Sequence, residues 1–383
     1  MQGFGCKDRI ELDNRKFQVH TGCDPDKERI VTEVFEEGRY LFGESRNYPT
    51  RRDDQESINE TYLKTVVSKL HTSILDEIDV IFHAHNKLKE KKDHFAHYRM
   101  GKVLLSRNFY EEAVENFQRS VKLNTDFIRG YKLLAIAYLK AGKYMYAIET
   151  FEEALKLKPD FPDLINGLGI AHSFLGNFDK ASEYYQETLK INPNYMESHF
   201  NLGVSLFLGT LLENPNEQNI VIPVRIIRTL KQFRKQEVYQ STYWQNLFDE
   251  SLEIINSADK DRIILALQDL QLKLSSKEDD IAAAMDFFFI KFMYGGKMFQ
   301  DEEMAYYEKR ISEEAEKHSG YADYWNELGT LHLIQCRDYF LRAMNEIGKA
   351  VEINKNYDEA VRSMELMKNS KKGFLILLRA ILK

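Results

Sequence analysis

Several residue groups in this chain have the types that catalysis or metal binding uses. His83-Ala84-His85 offers two imidazoles, the side chain most often found on a metal. Residues two apart on a helix point to different sides, and no His-Glu-x-x-His pattern accompanies the pair. Both therefore read as surface histidines. Cys6, Cys23 and Cys336 have no metal-ligand spacing and no sequence-local histidine to activate a thiolate. Gly295-Gly296-Lys297 lacks the rest of a phosphate-binding loop and reads as a turn. Carboxylates occur throughout, and none is singled out as half of an acid/base pair. The residues specify no enzyme, no metal and no cofactor.

The elements that would have to position any site are clearer. Gly101, Ala135, Gly169 and Gly203 stand 34 residues apart. A hydrophobic residue precedes each, at Met100, Leu134, Leu168 and Leu202. Twelve residues after the first three comes an alanine, at Ala113, Ala147 and Ala181, and four residues later an aromatic, at Phe117, Phe151 and Tyr185. Pro159 and Pro193 close the second and third units where the first has Thr125. Small residues let two helices approach, the aromatic fills the space beside them, and proline ends the second helix. Gly142 and Gly176 stand where the two helices reverse, available for left-handed C-caps.

This pattern resembles the tetratricopeptide repeat, a pair of antiparallel helices that stands only as a stack. With a sheet and a long helix ahead of the repeats, the chain resembles bacterial members of that family. The resemblance implies a mainly α fold: an α-solenoid with a small N-terminal antiparallel β-meander and an inserted helical segment. His172 and His332 fall at equivalent inner-helix positions of two units and read as core residues.

The expected organisation runs as follows. Residues 1–50 form the meander, because short β-prone runs alternate with Asp13-Asn14, Gly22 to Pro25 and Glu36 to Gly38. Alternation around Ile30 to Phe35 is imperfect and leaves the buried face open. Residues 51–92 hold a connecting helix from about Gln55 to Lys89, with Ile58, Tyr62, Val66, Leu70, Ile74, Ile78 and Phe82 at mostly four-residue intervals. Residues 93–208 give three full repeats and the first helix of a fourth. Residues 209–280 open with a loop at Asn214 to Asn219 and continue as three helices without the repeat signature, either a separate subdomain or a cover folded back across the solenoid. Residues 281–370 hold a degenerate unit and a C-terminal one built on Trp325, Leu328, Gly329, Ala343, Ile347 and Ala350, with a turn near Cys336 to Tyr339 and a capping helix from 357. Residues 371–383 are an apolar and basic tail.

Composition excludes several partner classes. The 383 residues are 43% hydrophobic and 30% charged with a net charge of −7, which disfavours general binding to nucleic acid or anionic membranes. Arg225, Arg228, Lys231, Arg234 and Lys235 load one helix with positive charge, but no RNA-binding motif adjoins it and a solvated face is expected. The tail, Phe374 to Leu378 with flanking lysines, is expected to pack on the last repeat rather than touch a membrane. An odd cysteine number, an N-terminus without a signal-peptide core, and no run of about 18 apolar residues lead to a cytoplasmic expectation.

In peptide-binding tetratricopeptide proteins the ligand lies on the concave face made by the first helix of each unit. That resemblance implies a groove of Tyr98, Lys102 and Leu105, then Arg129, Lys132, Ile136 and Leu139, then Asn166, Ile170 and Phe174, then Phe200, Val204 and Phe207. The stripe is apolar with a basic entrance. The lysine, asparagine and arginine set that clamps a terminal carboxylate in chaperone-binding members is missing, since Leu133, Asp163 and Gly167 stand in its places. The implied function is a non-catalytic adaptor that takes a protein partner as an extended peptide or amphipathic helix. Self-association through a solenoid end, or a place as accessory subunit of an enzyme complex, are the alternatives. The oligomeric state is left open.

Overall fold

The computed structural model describes residues 5–24, 28–47, 60–213, 221–257, 259–276, 280–296, 301–317, 320, 322–356 and 358–381. The expected loop at 214–219, the start of the helix expected from 55, Lys297 and the side chains of 374–383 lie outside that description. The chain divides into two compact units, Met1–Ala283 and Ala284–Lys383. No helix among the described residues is long and apolar enough to cross a membrane.

The first unit begins with strands β1 (Gly5–Leu12), β2 (Arg15–Asp24), β3 (Arg29–Glu36) and β4 (Arg39–Asn47), an antiparallel meander in sequential order. Its tight turns use left-handed backbone at Asp13 (φ 51°) and Asn14 (φ 63°), then Glu37 (φ 49°) and Gly38 (φ 85°), the geometry that two-residue hairpins require. The face left open by the sequence is settled by burial. Phe17, Val19 and Thr21 of β2, with Ile30, Thr32 and Val34 of β3, turn inward against α1 (Glu60–Leu88). On α1 the buried stripe begins at Leu63 and Val67, and Tyr62 is exposed. Strict four-residue spacing drifts round a helix of 3.6 residues per turn, so the stripe has to mix three- and four-residue steps.

Three helical pairs follow: α2 (His94–Ser106) with α3 (Tyr110–Leu123), α4 (Ile128–Lys140) with α5 (Tyr144–Leu157), and α6 (Pro162–Phe174) with α7 (Phe178–Ile191). Aromatic rings sit where glycines leave room. A Cβ on Gly101 would lie 2.6 Å from the Phe117 ring, and one on Gly169 would lie 2.4 Å from that of Tyr185. Gly142 (φ 72°) and Gly176 (φ 78°) make the left-handed reversals, and Asn108 (φ 61°) does so in the first pair.

The fourth pair departs from expectation. After α8 (Met196–Glu213), α9 (Val224–Phe233) packs back on it, and Ile226 Cγ1 stands 2.9 Å from where a Cβ on Gly203 would be. The pair is thus completed by a helix outside the repeat signature. Its packing residue comes 23 positions after the glycine, whereas Phe117 and Tyr185 follow theirs by 16. Helices α10 (Thr242–Asn256) and α11 (Lys260–Ser275) then follow, with α11 packed on α10 and across α8, α6 and α4.

The second unit holds most of α12 (Asp280–Tyr294), then α13 (Asp301–Lys317), α14 (Ala322–Ile353) and α15 (Asp358–Ile381). The turn expected near Cys336 to Tyr339 is absent, and α14 runs straight through it for 32 residues. No glycine or proline interrupts Leu331 to Ala343, so nothing there stops a helix. A Cβ on Gly329 would meet nothing within 4 Å, so the close approach of a repeat is not made at that position. His332 is half exposed beside Glu308 rather than in a core, which corrects its expected equivalence to His172.

Packing at the glycines makes a direct prediction. Gly169→Ala should destabilise the first unit by about 1–3 kcal/mol through overpacking against Tyr185. Urea unfolding followed by circular dichroism measures this, and an unchanged midpoint would refute the packing role of Gly169.

Candidate functional site

Where the groove is expected, along the first helices α4, α6 and α8, the chain's own α11 is packed. Ile263, Leu267, Leu270 and Leu274 are buried on one stripe of α11, with the spacing of a single helix face. They join one continuous core with Phe200, Val204, Phe207 and Leu208 of α8, Ile226, Leu230 and Phe233 of α9, and Trp244 and Phe248 of α10. Within residues 209–280, α9 completes the fourth pair and α11 is the helix that lies across the solenoid.

The expected groove residues divide accordingly. Ile136, Leu139, Ile170, Phe200, Val204 and Phe207 are all buried. Leu105 is buried too, while Phe174 is half buried with its ring 5.3 Å from that of Tyr144. Tyr98 is part of an aromatic group, 4.9 Å from Phe127 and 5.9 Å from Phe95. Lys102 is half buried and Arg129 exposed. Lys132 is not a free basic entrance, because its ammonium pairs with Asp163.

Beyond the last apolar turn of α11 the face becomes polar. Lys132, Ile136, Asp163, Asn166, Tyr195, Glu197, Leu274 and Ser275 are among the residues around a cavity of about 200 Å³. Tyr195 donates to Asp163 Oδ1 at 2.9 Å, and Tyr239 donates to Glu197 Oε1 at 3.0 Å. Burial, reinforced by these carboxylates, pushes both phenols well above their ordinary range, so they stay protonated donors. Asn166 Oδ1 accepts from Ser198 at 2.8 Å and Asn201 at 3.0 Å. Asp163, which stands where the carboxylate clamp is missing, therefore serves as an internal acceptor.

Sequence reasoning did not reach this polar seam, and it held a cover by these helices as one of two alternatives. The stripe's apolar periodicity is visible from Ile263 to Leu274, but its destination is not. Asp163 stands at the start of α6, whereas Tyr195 and Glu197 stand together at the start of α8, and nothing in the local sequence connects the first to the other two.

Two histidine clusters have geometries that resemble chemistry. His71 Nε2 lies 3.0 Å from Asp8 Oδ2, and its Nδ1 lies 2.9 Å from Thr21 Oγ1, which is 3.0 Å from Thr32 Oγ1. That is the outline of a nucleophile relay. However, Thr21 is buried between sheet and helix with its hydroxyl shared with Thr32, so the chain clamps α1 to the sheet. The expectation that His85 lies on the surface is wrong. It is buried, its Nδ1 accepts from Asn116 at 2.8 Å, and Asn116 Oδ1 lies 3.1 Å from His97 Nδ1. Among the described residues no group of three or more metal-ligating side chains converges. Arg225, Arg228 and Lys231 are exposed on α9, Lys235 is exposed just beyond its end, and Arg234 pairs with Asp249 at 2.9 Å.

The family model for the tetratricopeptide repeat matches residues 128–161 and 162–195. No curated protein matches the chain. Solved structures with a similar fold include the second such domain of human RPAP3, in complex with an HSP70 peptide, at 22% identity and a TM-score of 0.28, covering 29% of this chain and 93% of that one. MamA from Desulfovibrio magneticus RS-1 is 18% identical with a TM-score of 0.34, covering 47% and 99%. YrrB, described as having an unusual peptide-binding site, is 18% identical with a TM-score of 0.29, covering 52% and 95%.

The buried histidine gives a pH prediction. Burial lowers the His85 pKa to about 4, against an ordinary value near 6.5. The unfolded chain takes up a proton in that window that the folded one refuses, so this group's contribution is lost as pH falls from about 6.5 towards 4. From pH 7 to pH 5 it should cost about 2 kcal/mol. Urea titrations of the native chain and His85→Gln at the two pH values should show a smaller loss in the variant, and identical losses would count against the assignment.

Proposed function

We propose that this chain, a tetratricopeptide-repeat protein, is a non-catalytic adaptor whose concave face holds an amphipathic helix from a protein partner, and that its own α11 takes that place in the closed form. Tetratricopeptide arrays are protein-interaction scaffolds, and the finer reading rests on one observation. Helix α11 lies across α8, α6 and α4 with Ile263, Leu267, Leu270 and Leu274 buried, the arrangement by which grooves recognise helices. Apolar anchors supply affinity in such a site, and exposed Arg129 at its edge favours an acidic partner by steering. Binding then competes with the closing helix, so apparent affinity is reduced by the fraction of molecules that are closed.

The test uses the full chain carrying Leu267→Asp and Leu270→Asp to weaken the cover, and a labelled peptide of residues 259–276 added in trans. Fluorescence anisotropy should show binding to the opened variant at least about tenfold tighter than to the native chain. An opened variant that keeps its helical circular dichroism and takes up no peptide would sink the proposal.

A further inference from the structure

The seat of α11 contains one polar mismatch, and it lies in the middle of the covered face. Gln271 stands between Leu270 and Leu274 on the buried stripe and is 0% exposed. Neither its Oε1 nor its Nε2 makes a hydrogen bond among the described residues. Beside it is the hydroxyl of Tyr185, also fully buried, also without a hydrogen bond, with Ser173 and Ser205 as its other polar neighbours. Those two serines are themselves buried and reach each other only at 3.4 Å, a long contact for two hydroxyls.

Three hydroxyls from α6, α7 and α8 therefore lie close to one point of the groove floor, and the neutral amide that the chain places there approaches the Tyr185 hydroxyl without meeting it in good hydrogen-bond geometry. Burial drives the Tyr185 pKa upward, so its hydroxyl is a standing donor. A carboxylate is acceptor-only, with lone pairs enough for all three hydroxyls, and bonds to a charged acceptor are the stronger kind. Two or three such bonds are what a buried carboxylate needs to keep its charge.

On the reading that the groove takes a partner helix, we infer that this helix carries a glutamate where α11 carries Gln271. The groove thus selects an acidic amphipathic helix with apolar residues at the positions of Ile263, Leu267, Leu270 and Leu274. Its carboxylate accepts hydrogen bonds from Tyr185, Ser173 and Ser205. Helix α11 has the same apolar anchors with a neutral amide in place of the charged acceptor, so it closes the groove and yields it to the better-matched helix.

Two labelled peptides of residues 259–276, one native and one with Gln271→Glu, are titrated at neutral pH into the full chain opened by Leu267→Asp and Leu270→Asp. The glutamate peptide should bind about tenfold tighter, and the preference should disappear when Tyr185→Phe is added to the opened chain. Equal affinities overturn this inference and leave the groove reading intact, whereas binding of neither peptide overturns both. A second measurement does not depend on opening the groove. In the otherwise native chain Gln271→Glu should raise Tm by about 2–4 °C, and it should fail to do so in a Tyr185→Phe background. An unchanged or lowered Tm, or a rise that persists without the Tyr185 hydroxyl, overturns the assignment of a carboxylate site.

Discussion

The first helices of the repeats carry apolar residues on two sides, and everything else in the first unit follows from that. They meet the second helix of the same pair, where Gly101 and Gly169 let the rings of Phe117 and Tyr185 approach, and that of the preceding pair, where Gly167 admits the ring of Phe151, all at distances no Cβ would allow. Further apolar residues of these helices, including Ile136, Ile170, Val204 and Phe207, are buried as well and must also leave water. A stack of paired helices satisfies the first demand through its own period and has no means of satisfying the second. Helix α11 meets that demand within the chain.

At the N-terminal end, the same need is met by a different device. The sheet has one apolar face, and α1 covers it, but the join to the first repeat depends on Arg15. Its guanidinium pairs with Glu36 of β3 and Glu112 of α3 and lies 5.3–5.4 Å from the rings of Phe17, Phe82 and Phe109. Hydrogen bonding to Arg15 holds the Glu36 carboxyl below its ordinary pKa, while burial pushes that of Glu112 upward. Arg107 repeats the arrangement, paired with Glu77 of α1 at 2.5 Å and set 5.0 Å from the Phe42 ring. Planar cations that satisfy carboxylates at their edges and stack on rings suit a seam that is half apolar and half charged. Sheet, connecting helix and first repeat are thereby one packed body, and the meander gains the cover a small sheet lacks alone.

The covered face also holds polar groups that are poorly matched. Elsewhere in the first unit some polar groups form closed sets, as in Asp8, His71, Thr21 and Thr32, or His85, Asn116 and His97, while His20 Nε2, Glu112 Oε2 and both ring nitrogens of His172 make no hydrogen bond among the described residues. Under α11, Gln271 and the Tyr185 hydroxyl are likewise left without good hydrogen-bond geometry among the described residues. A buried donor or acceptor left unmade carries its desolvation cost uncompensated. A cover with that defect is held by apolar burial alone, which is non-directional and readily taken over by another helix of the same pattern.

How far the sequence alone reaches can be read from individual residues. The three pairs and their small and aromatic positions were legible because Gly101 and Phe117, or Gly169 and Tyr185, recur at a spacing set by helix geometry within one unit. So were the hairpin turns at Asp13-Asn14 and Glu37-Gly38, because left-handed backbone favours those residue types locally. The partner of Gly203 was not legible, since Ile226 lies beyond a connection of different length and carries no phase. Nor was the continuity of α14, where a spacing that looked like a turn contained no residue able to stop a helix. His85 looked like a surface residue because its partner Asn116 lies 31 positions away. Most of all, the apolar stripe of Ile263 to Leu274 shows in the sequence that a face must be buried, and not against what. Burial is a relation between surfaces, and only the tertiary structure brings α11 onto the groove floor and sets Gln271 beside Tyr185.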